Sequence, residues 1–224
     1  MEGLHQFLEQ RPRPLLPSYS WWTENRATMN KTATKVVDAV REIDEALPFL
    51  MESFSSDNGN EFINRELLHY FNTRRWGRVK MARRRPYKKN DAAHVEQKNY
   101  SHVRQLFGYV RLDDPAMVPL MNEIYRAYWN PLLNFFIPNM KLVKKERVGS
   151  RIRKTYEPIA KTPYERLLES DKISDRMKSR LRDSYSAMNP FTLREMLDKA
   201  LIRFKQLVHI AEENRRLYDE RASA

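Results

Sequence analysis

An apolar run, a polar turn and an amphipathic helix follow one another around residue 57, and this order constrains the fold more than any other feature of the chain. Residues 49–54 are typical of a short strand, and the turn at Asp57 follows them. Apolar residues then recur on one side of a helix: Phe62, Ile63, Leu67, Tyr70 and Phe71. Residues 79–82 predict a further strand. Alternating strands and helices favour an α/β fold built on a sheet.

The rest of the chain divides by composition. A strand-like run at 21–29 precedes a helix from Thr34 to Leu47, which Pro48 ends, and Gly108 ends a later helix. A helical stripe also runs from Met117 to Tyr128. We therefore predict four segments: an irregular Pro-rich N-terminus (1–20), a core of strands and helices (21–133), a basic extended segment (134–165) and a helical C-terminal region (166–224).

Charge and composition narrow the class of protein. The chain has 224 residues, 41 of them basic and 29 acidic, for a formal net charge of +12. Such a surplus attracts polyanions such as nucleic acid or acidic lipid headgroups. The absence of cysteine excludes disulfides and thiolate metal sites. No apolar run reaches the roughly 18 residues of a membrane span, and residue 1 is not followed by the apolar core of a secretory signal. We expect a cytoplasmic protein without a membrane partner.

Two carboxylates stand out in this basic chain, Asp57 and Glu96. At about 100° per residue, Glu96 falls on the same arc of its helix as Val95, Val103 and Phe107. A carboxylate on a core-facing side is costly unless it is paired, protonated or bound to a metal. A salt bridge to an arginine therefore remains an alternative for Glu96. For Asp57 the alternative is a plain turn, since Asp-Asn-Gly is a common turn sequence.

Two motifs around these acids resemble a known family. Residues 56–64 (Ser-Asp-Asn-Gly-Asn-Glu-Phe-Ile-Asn) resemble the second-aspartate motif of DDE integrases and transposases of the retroviral-integrase superfamily. Residues 85–99 resemble the segment with the family's catalytic glutamate, and 38 residues separate Asp57 from Glu96, close to the family's usual spacing. The runs 134–142 and 149–154 are similar to bacterial mobile-element integrases. The resemblance covers roughly residues 21–205.

The resemblance implies an α/β protein with an incomplete ribonuclease-H-like mixed sheet flanked by helices. It also implies that Asp57 and Glu96 are catalytic residues and metal ligands. In the family, three acids bind two divalent cations, Mg²⁺ or Mn²⁺, and such a pair promotes in-line displacement at phosphorus. Hard Mg²⁺ prefers carboxylate oxygens. The implied function is metal-dependent phosphoryl transfer in DNA integration or transposition.

The family's first aspartate has no counterpart upstream. Before residue 21 the acids are Glu2 and Glu9, and Asp38 lies inside a predicted helix. We therefore expect an N-terminally truncated integrase that is catalytically incomplete. We expect it to be a bacterial protein that associates with the nucleoid. We also expect unpaired strand edges that favour a homo-oligomer or pairing with a full-length transposase. The alternative is a non-enzymatic DNA-binding or oligomerising remnant that modulates a full-length transposase.

One basic cluster lies at 83–89, between the two acids, and a second lies at 141–154. The predicted nucleic-acid contacts are Arg83, Arg84, Arg85, Lys88, Lys89, Lys98, Arg151 and Arg153. Contacts of this kind to phosphates are largely independent of sequence and sensitive to salt. A solvated charged loop is the alternative for either cluster. An RNA-binding protein has less support, because the chain lacks an aromatic stacking motif.

Overall fold

The computed structural model describes residues 7–8, 21–29, 32–56, 61–83, 100–109, 112 and 114–222. Within them the chain is a mixed α/β protein, as predicted, with three separate pairs of strands. The strands are β1 (Phe7–Leu8), β2 (Glu24–Asn25), β3 (Ser53–Ser56), β4 (Lys80–Arg83), β5 (Leu142–Val148) and β6 (Arg151–Tyr156). The helices are α1 (Ala33–Ala46), α2 (Glu61–Thr73), α3 (Tyr100–Arg104 continued by Gln105–Phe107), α4 (117–136), α5 (Pro163–Glu169), α6 (Asp175–Ser186) and α7 (Pro190–Ala222).

The strand–helix–strand unit expected around residue 57 is present as β3, α2 and β4. The two strands are parallel, from Ser53 opposite Lys80 to Ser56 opposite Arg83. The first strand begins later than predicted, because Phe49 packs edge-on against Trp22, with ring centroids 6.5 Å apart. The apolar run at 49–54 thus serves two different cores.

Helices α1 and α2 cover this strand pair with their apolar faces. The packed core includes Val36, Val40, Met51, Phe54, Leu67, Phe71 and Val79. Phe71 is fully buried, and its ring centroid lies 5.0 Å from that of Phe54. Burial of such side chains contributes roughly 1.5–3 kcal/mol each. Val36 and Val40 of the stripe predicted for α1, and Leu67 and Phe71 of the stripe predicted for α2, therefore pack in this core.

A second core forms where α3, α4 and α7 meet. Its buried residues include Val103, Phe107, Met121, Ile124, Leu197 and Phe204. The helical stripe predicted from Met117 to Tyr128 is thus confirmed, and Val103 and Phe107 are buried as predicted. Gly108 ends α3 with φ of 86°, a backbone conformation that glycine adopts readily. This cluster includes residues from the predicted segments 21–133 and 166–224. The two segments therefore share one hydrophobic interior.

Asparagines of α4 take the place of a neighbouring strand beside β2. Asn134 accepts from the Thr23 amide and donates to the Thr23 carbonyl, both at 2.8 Å. Asn122 makes the same pair of bonds with Ala27, at 2.7 and 3.1 Å. Asn130 makes one such bond with Asn25, which lies between Thr23 and Ala27: its side-chain oxygen accepts from the Asn25 amide. The extended segment 23–27 is therefore paired along the edge that faces a helix, which satisfies its backbone.

The basic segment 134–165 is more regular than predicted. Residues 134–136 belong to α4, and β5 and β6 form an antiparallel hairpin. Gly149 and Ser150 form its two-residue turn, where Gly149 has φ of 62° and Ser150 does not adopt a positive φ. Glycine at the first turn position suits a type II′ turn, which matches the twist of the strands. None of the helices in the described ranges combines the length and apolar character of a membrane crossing.

Candidate metal and nucleic-acid site

The carboxyl ends of β3 and β4 define the edge where the predicted acids would meet. Because the strands are parallel, Ser56 and Arg83 lie opposite each other at the same end of the pair. Asp57 directly follows β3, and the basic segment that leads to Glu96 directly follows β4. Ligands of open α/β sheets bind beyond the carboxyl ends of the strands. The two strands therefore end at the same edge, at Ser56 and Arg83, and in the sequence the two predicted acids follow these ends.

The opposite end of this strand pair is held by a buried ion pair. Arg74 follows α2 and binds both carboxylate oxygens of Asp44 from α1, at 2.6 and 2.7 Å. The Tyr70 hydroxyl and the Trp76 indole also donate to Asp44, at 3.0 and 3.1 Å. Arg74 donates in addition to the carbonyl of Met51, just before β3. Burial, reinforced by Asp44, raises the pKa of Tyr70. The network fixes the relative positions of α1, α2 and β3.

Helix α3, which continues the segment with Glu96, is tied to α4. The Tyr125 hydroxyl donates to the carbonyl of His102 at 3.0 Å, and the Trp129 indole donates to Nδ1 of His102 at the same distance. Because Nδ1 accepts, the neutral imidazole holds its proton on Nε2. Burial raises the pKa of Tyr125, so its hydroxyl stays protonated as a donor. The described residues of α3 are thus anchored to α4.

Most of the predicted site residues fall outside the described ranges. These are Asp57, Arg84, Arg85, Lys88, Lys89, Glu96 and Lys98. Arg83 ends β4, and its backbone pairs with Ser56. Arg151 and Arg153 lie on β6, where both are exposed. The structure therefore places the hairpin arginines and the last residue of β4, and the remaining predicted positions lie outside the described residues.

The described part of the chain holds no group of three or more histidine, aspartate or glutamate side chains that could bind a metal. Two of its aspartates upstream of residue 57 are already engaged: Asp38 pairs with Arg41 on the surface, and Asp44 pairs with Arg74. The magnesium site predicted at Asp57 and Glu96 lies outside the described residues and stays a prediction.

Glu24 is a buried acid with three donors around it. The Trp22 indole, the Asn130 amide and the Arg26 guanidinium donate to its carboxylate at 3.0, 2.8 and 3.3 Å. Burial raises the pKa of Glu24 above its usual 4.5, although Arg26 and the hydrogen bonds oppose this shift. Both oxygens are already occupied, so Glu24 serves the packing of β2 against α4.

The sequence placed Lys145, Arg147 and Lys154 in a basic cluster at 141–154 but did not assign them to a face of the hairpin. They lie on the face opposite Arg151 and Arg153, because side chains alternate along a strand. The only available signal was the alternation of side chains along each strand. It assigns residues to faces only when the register of the two strands is known. The asparagines of α4 were missed, although their spacing of eight and four residues places them on one helix face.

Comparisons with known proteins leave the function open. No family model matches the chain. An uncharacterized protein of Sinorhizobium fredii, y4rM, is 32% identical over 140 residues, which is 61% of this chain. The matched region spans 38% of that relative's length. No solved structure matches the chain.

Proposed function

We propose that this chain is a DDE-type integrase or transposase catalytic-domain protein, with a ribonuclease-H-like sheet, that acts on DNA in integration or transposition. The observation that carries the proposal is the parallel pair β3–β4 joined by α2. Its carboxyl edge leads directly into Asp57 on one strand and into the basic segment before Glu96 on the other. The order, the spacing and the strand direction all agree with the motif resemblance.

The proposed chemistry is phosphoryl transfer at that edge. Asp57 and Glu96 would hold divalent cations, Mg²⁺ or Mn²⁺, through carboxylate oxygens. Cations bound there supply activation of the attacking oxygen and stabilisation of the leaving oxygen. Arg83, together with Arg84, Arg85, Lys88, Lys89 and Lys98, would bind DNA phosphates beside them. We expect a third carboxylate to be needed for full activity, supplied by a full-length transposase.

A strand-transfer assay tests the enzyme proposal. Element-end DNA is incubated with the chain and Mn²⁺ or Mg²⁺, alone and together with a full-length relative that lacks its own second aspartate. We expect metal-dependent joining that Asp57→Asn and Glu96→Gln each reduce by at least about 100-fold, since each removes a charged ligand of the cations. Glu66→Gln, on the same helix as the motif but outside it, serves as the matched control. Joining that survives both substitutions would exclude the proposed site.

A non-enzymatic DNA-binding protein is the second candidate function. The observation that favours it is the engagement of Asp44 and Glu24 in structural networks, which leaves neither for a metal. This candidate predicts DNA binding without nicking or joining under any metal condition. It also predicts unchanged DNA binding in Asp57→Asn, since the carboxylate would then have no role.

The DNA contacts proposed for Lys88 and Lys89 are tested by the salt dependence of DNA binding. Replacing Lys88 and Lys89 with alanine should reduce the slope of log K against log salt by roughly 1–2, because each phosphate contact contributes about 0.9 to that slope. The matched control replaces Lys199 and Lys205, two lysines of α7 that are not among the predicted contacts. Fluorescence anisotropy of a labelled duplex between 50 and 300 mM KCl, in round numbers, gives the slopes. An unchanged slope in the loop variant would remove these lysines from the interface.

A further inference from the structure

We infer that the β5–β6 hairpin is a DNA-binding arm, and that its contact face is the one with Lys145, Arg147 and Lys154. This face is the reverse of the one with Arg151 and Arg153. The inference rests on the proposed function for the identity of the polyanion as duplex DNA. The choice of face follows from the register and charges of the hairpin itself.

The register divides the hairpin into two faces, because directly opposed residues lie on the same face of a strand pair. Arg147 is opposite Ile152, Lys145 is opposite Lys154, and Leu142 is opposite Tyr156. These six residues form what we call the lysine face. The alternate residues form the glutamate face: Lys144, Glu146, Val148, Arg151, Arg153 and Thr155.

The charges of the two faces differ in kind. On the glutamate face, Glu146 is opposite Arg153 and forms an ion pair with Lys144 at 2.5 Å. The lysine face has three cations and no acidic residue. Lys145 is directly opposite Lys154, and like charges at opposed positions destabilise a strand pair. An anion bound between them would convert this repulsion into attraction.

The hairpin stands away from the body of the protein. All of its strand residues except Glu146 are exposed, on both faces. A two-stranded hairpin with no covered face is marginal by itself. Its base is held by buried Arg166 of α5, which binds Glu157 at 2.5 Å and donates to the Asn139 carbonyl at 2.9 Å. The result is a fixed base with a solvent-exposed arm.

The shape of the arm suits duplex DNA. Strands of six or seven residues extend roughly 20 Å, and the major groove, about 12 Å wide, admits a two-stranded ribbon. A lipid surface fits less well. A hairpin that inserts into a membrane needs an apolar tip, whereas the tip here includes Ser150 and Arg151. The central position of the opposed lysines also places charge where an inserting arm would need apolar side chains.

Two triple variants with equal charge change test the choice of face. One replaces Lys145, Arg147 and Lys154 with glutamine, and the other replaces Lys144, Arg151 and Arg153 with glutamine. Both sets are exposed, so neither change should unfold the protein, and circular dichroism melting verifies this. Anisotropy of a labelled duplex is measured against salt concentration in the full chain. We expect the lysine-face variant to lose roughly 2–3 from the salt slope and to bind on the order of 100-fold more weakly at 0.1 M salt.

The control face should lose less than about 1 from the slope. Equal losses in the two variants, or a larger loss in the control, would overturn the choice of face while leaving DNA binding intact. Binding of the wild type to anionic vesicles, abolished in the lysine-face variant while duplex binding is unchanged, would assign the face to lipid instead. If the wild-type chain binds no duplex at 50 mM salt, the proposed function itself fails. A wrong assignment of the contact face is therefore distinguishable from a failure of the proposed function.

Discussion

Asp44→Ala is expected to destabilise the protein by about 3–5 kcal/mol, because it leaves the Arg74 guanidinium buried without a counter-ion. The exposed fractions of the two side chains are only 1% and 2%. The substitution also removes the acceptor of Tyr70 and Trp76. The free energy of unfolding of a small domain is roughly 5–15 kcal/mol. The expected loss is therefore a large share of the stability. Urea denaturation followed by circular dichroism measures it.

Asp38→Ala on the same helix is the matched control. Asp38 also forms an ion pair with an arginine, Arg41, but both side chains are about half exposed. Exposed pairs contribute roughly 0–1 kcal/mol, so this substitution should be nearly neutral. A double variant, Asp44→Leu with Arg74→Met, should recover much of the stability, since it removes both charges together. Equal effects of the two single substitutions would show that the Asp44 pair is not sequestered from water.

The helices and the strand–helix–strand unit were predictable because their signals are local. Val36, Val40 and Ile43 repeat at helical spacing, and all three are buried. The bounds of β3 were less predictable, because Phe49 packs against Trp22 and not in the core that covers β3. Its neighbour Trp22 is distant in sequence, and hydrophobic pattern alone cannot show which core a residue joins. Local pattern therefore predicts an element better than it predicts the element's ends.

The polar networks were not predictable for the same reason. Asp44 and Arg74 are separated by 30 residues, and in a chain with 41 basic residues the partner of one acid cannot be chosen from sequence. At the candidate site, motif order gave Asp57 and Glu96. The structure adds the parallel direction of β3 and β4, whose carboxyl ends lie at one edge. The two faces of the hairpin required the strand register.

Asn130→Leu is expected to cost roughly 2–5 kcal/mol at neutral pH, because it leaves several buried polar groups without partners. Asn130 accepts from both the amide and the side chain of Asn25, the latter at 2.6 Å. It also donates to Glu24 at 2.8 Å. All three residues are less than 10% exposed. Leucine has a similar volume, so lost hydrogen bonds rather than a cavity should dominate the effect.

Asn139→Leu is the matched control, since the Asn139 side-chain oxygen is buried without a hydrogen-bond partner. Its loss should change stability by less than about 1 kcal/mol. The dependence on pH adds a second test. A carboxyl group with a raised pKa stabilises the fold below its unfolded value, 4.5 for Glu24, and this contribution is lost as the pH rises through the folded pKa. Removing the Asn130 donor raises that pKa further, so the Asn130→Leu deficit should be larger at pH 7.5 than near pH 5. Urea titrations at both pH values measure the deficit, and one that grows as the pH falls would contradict the assignment of Glu24 as an ionised acceptor.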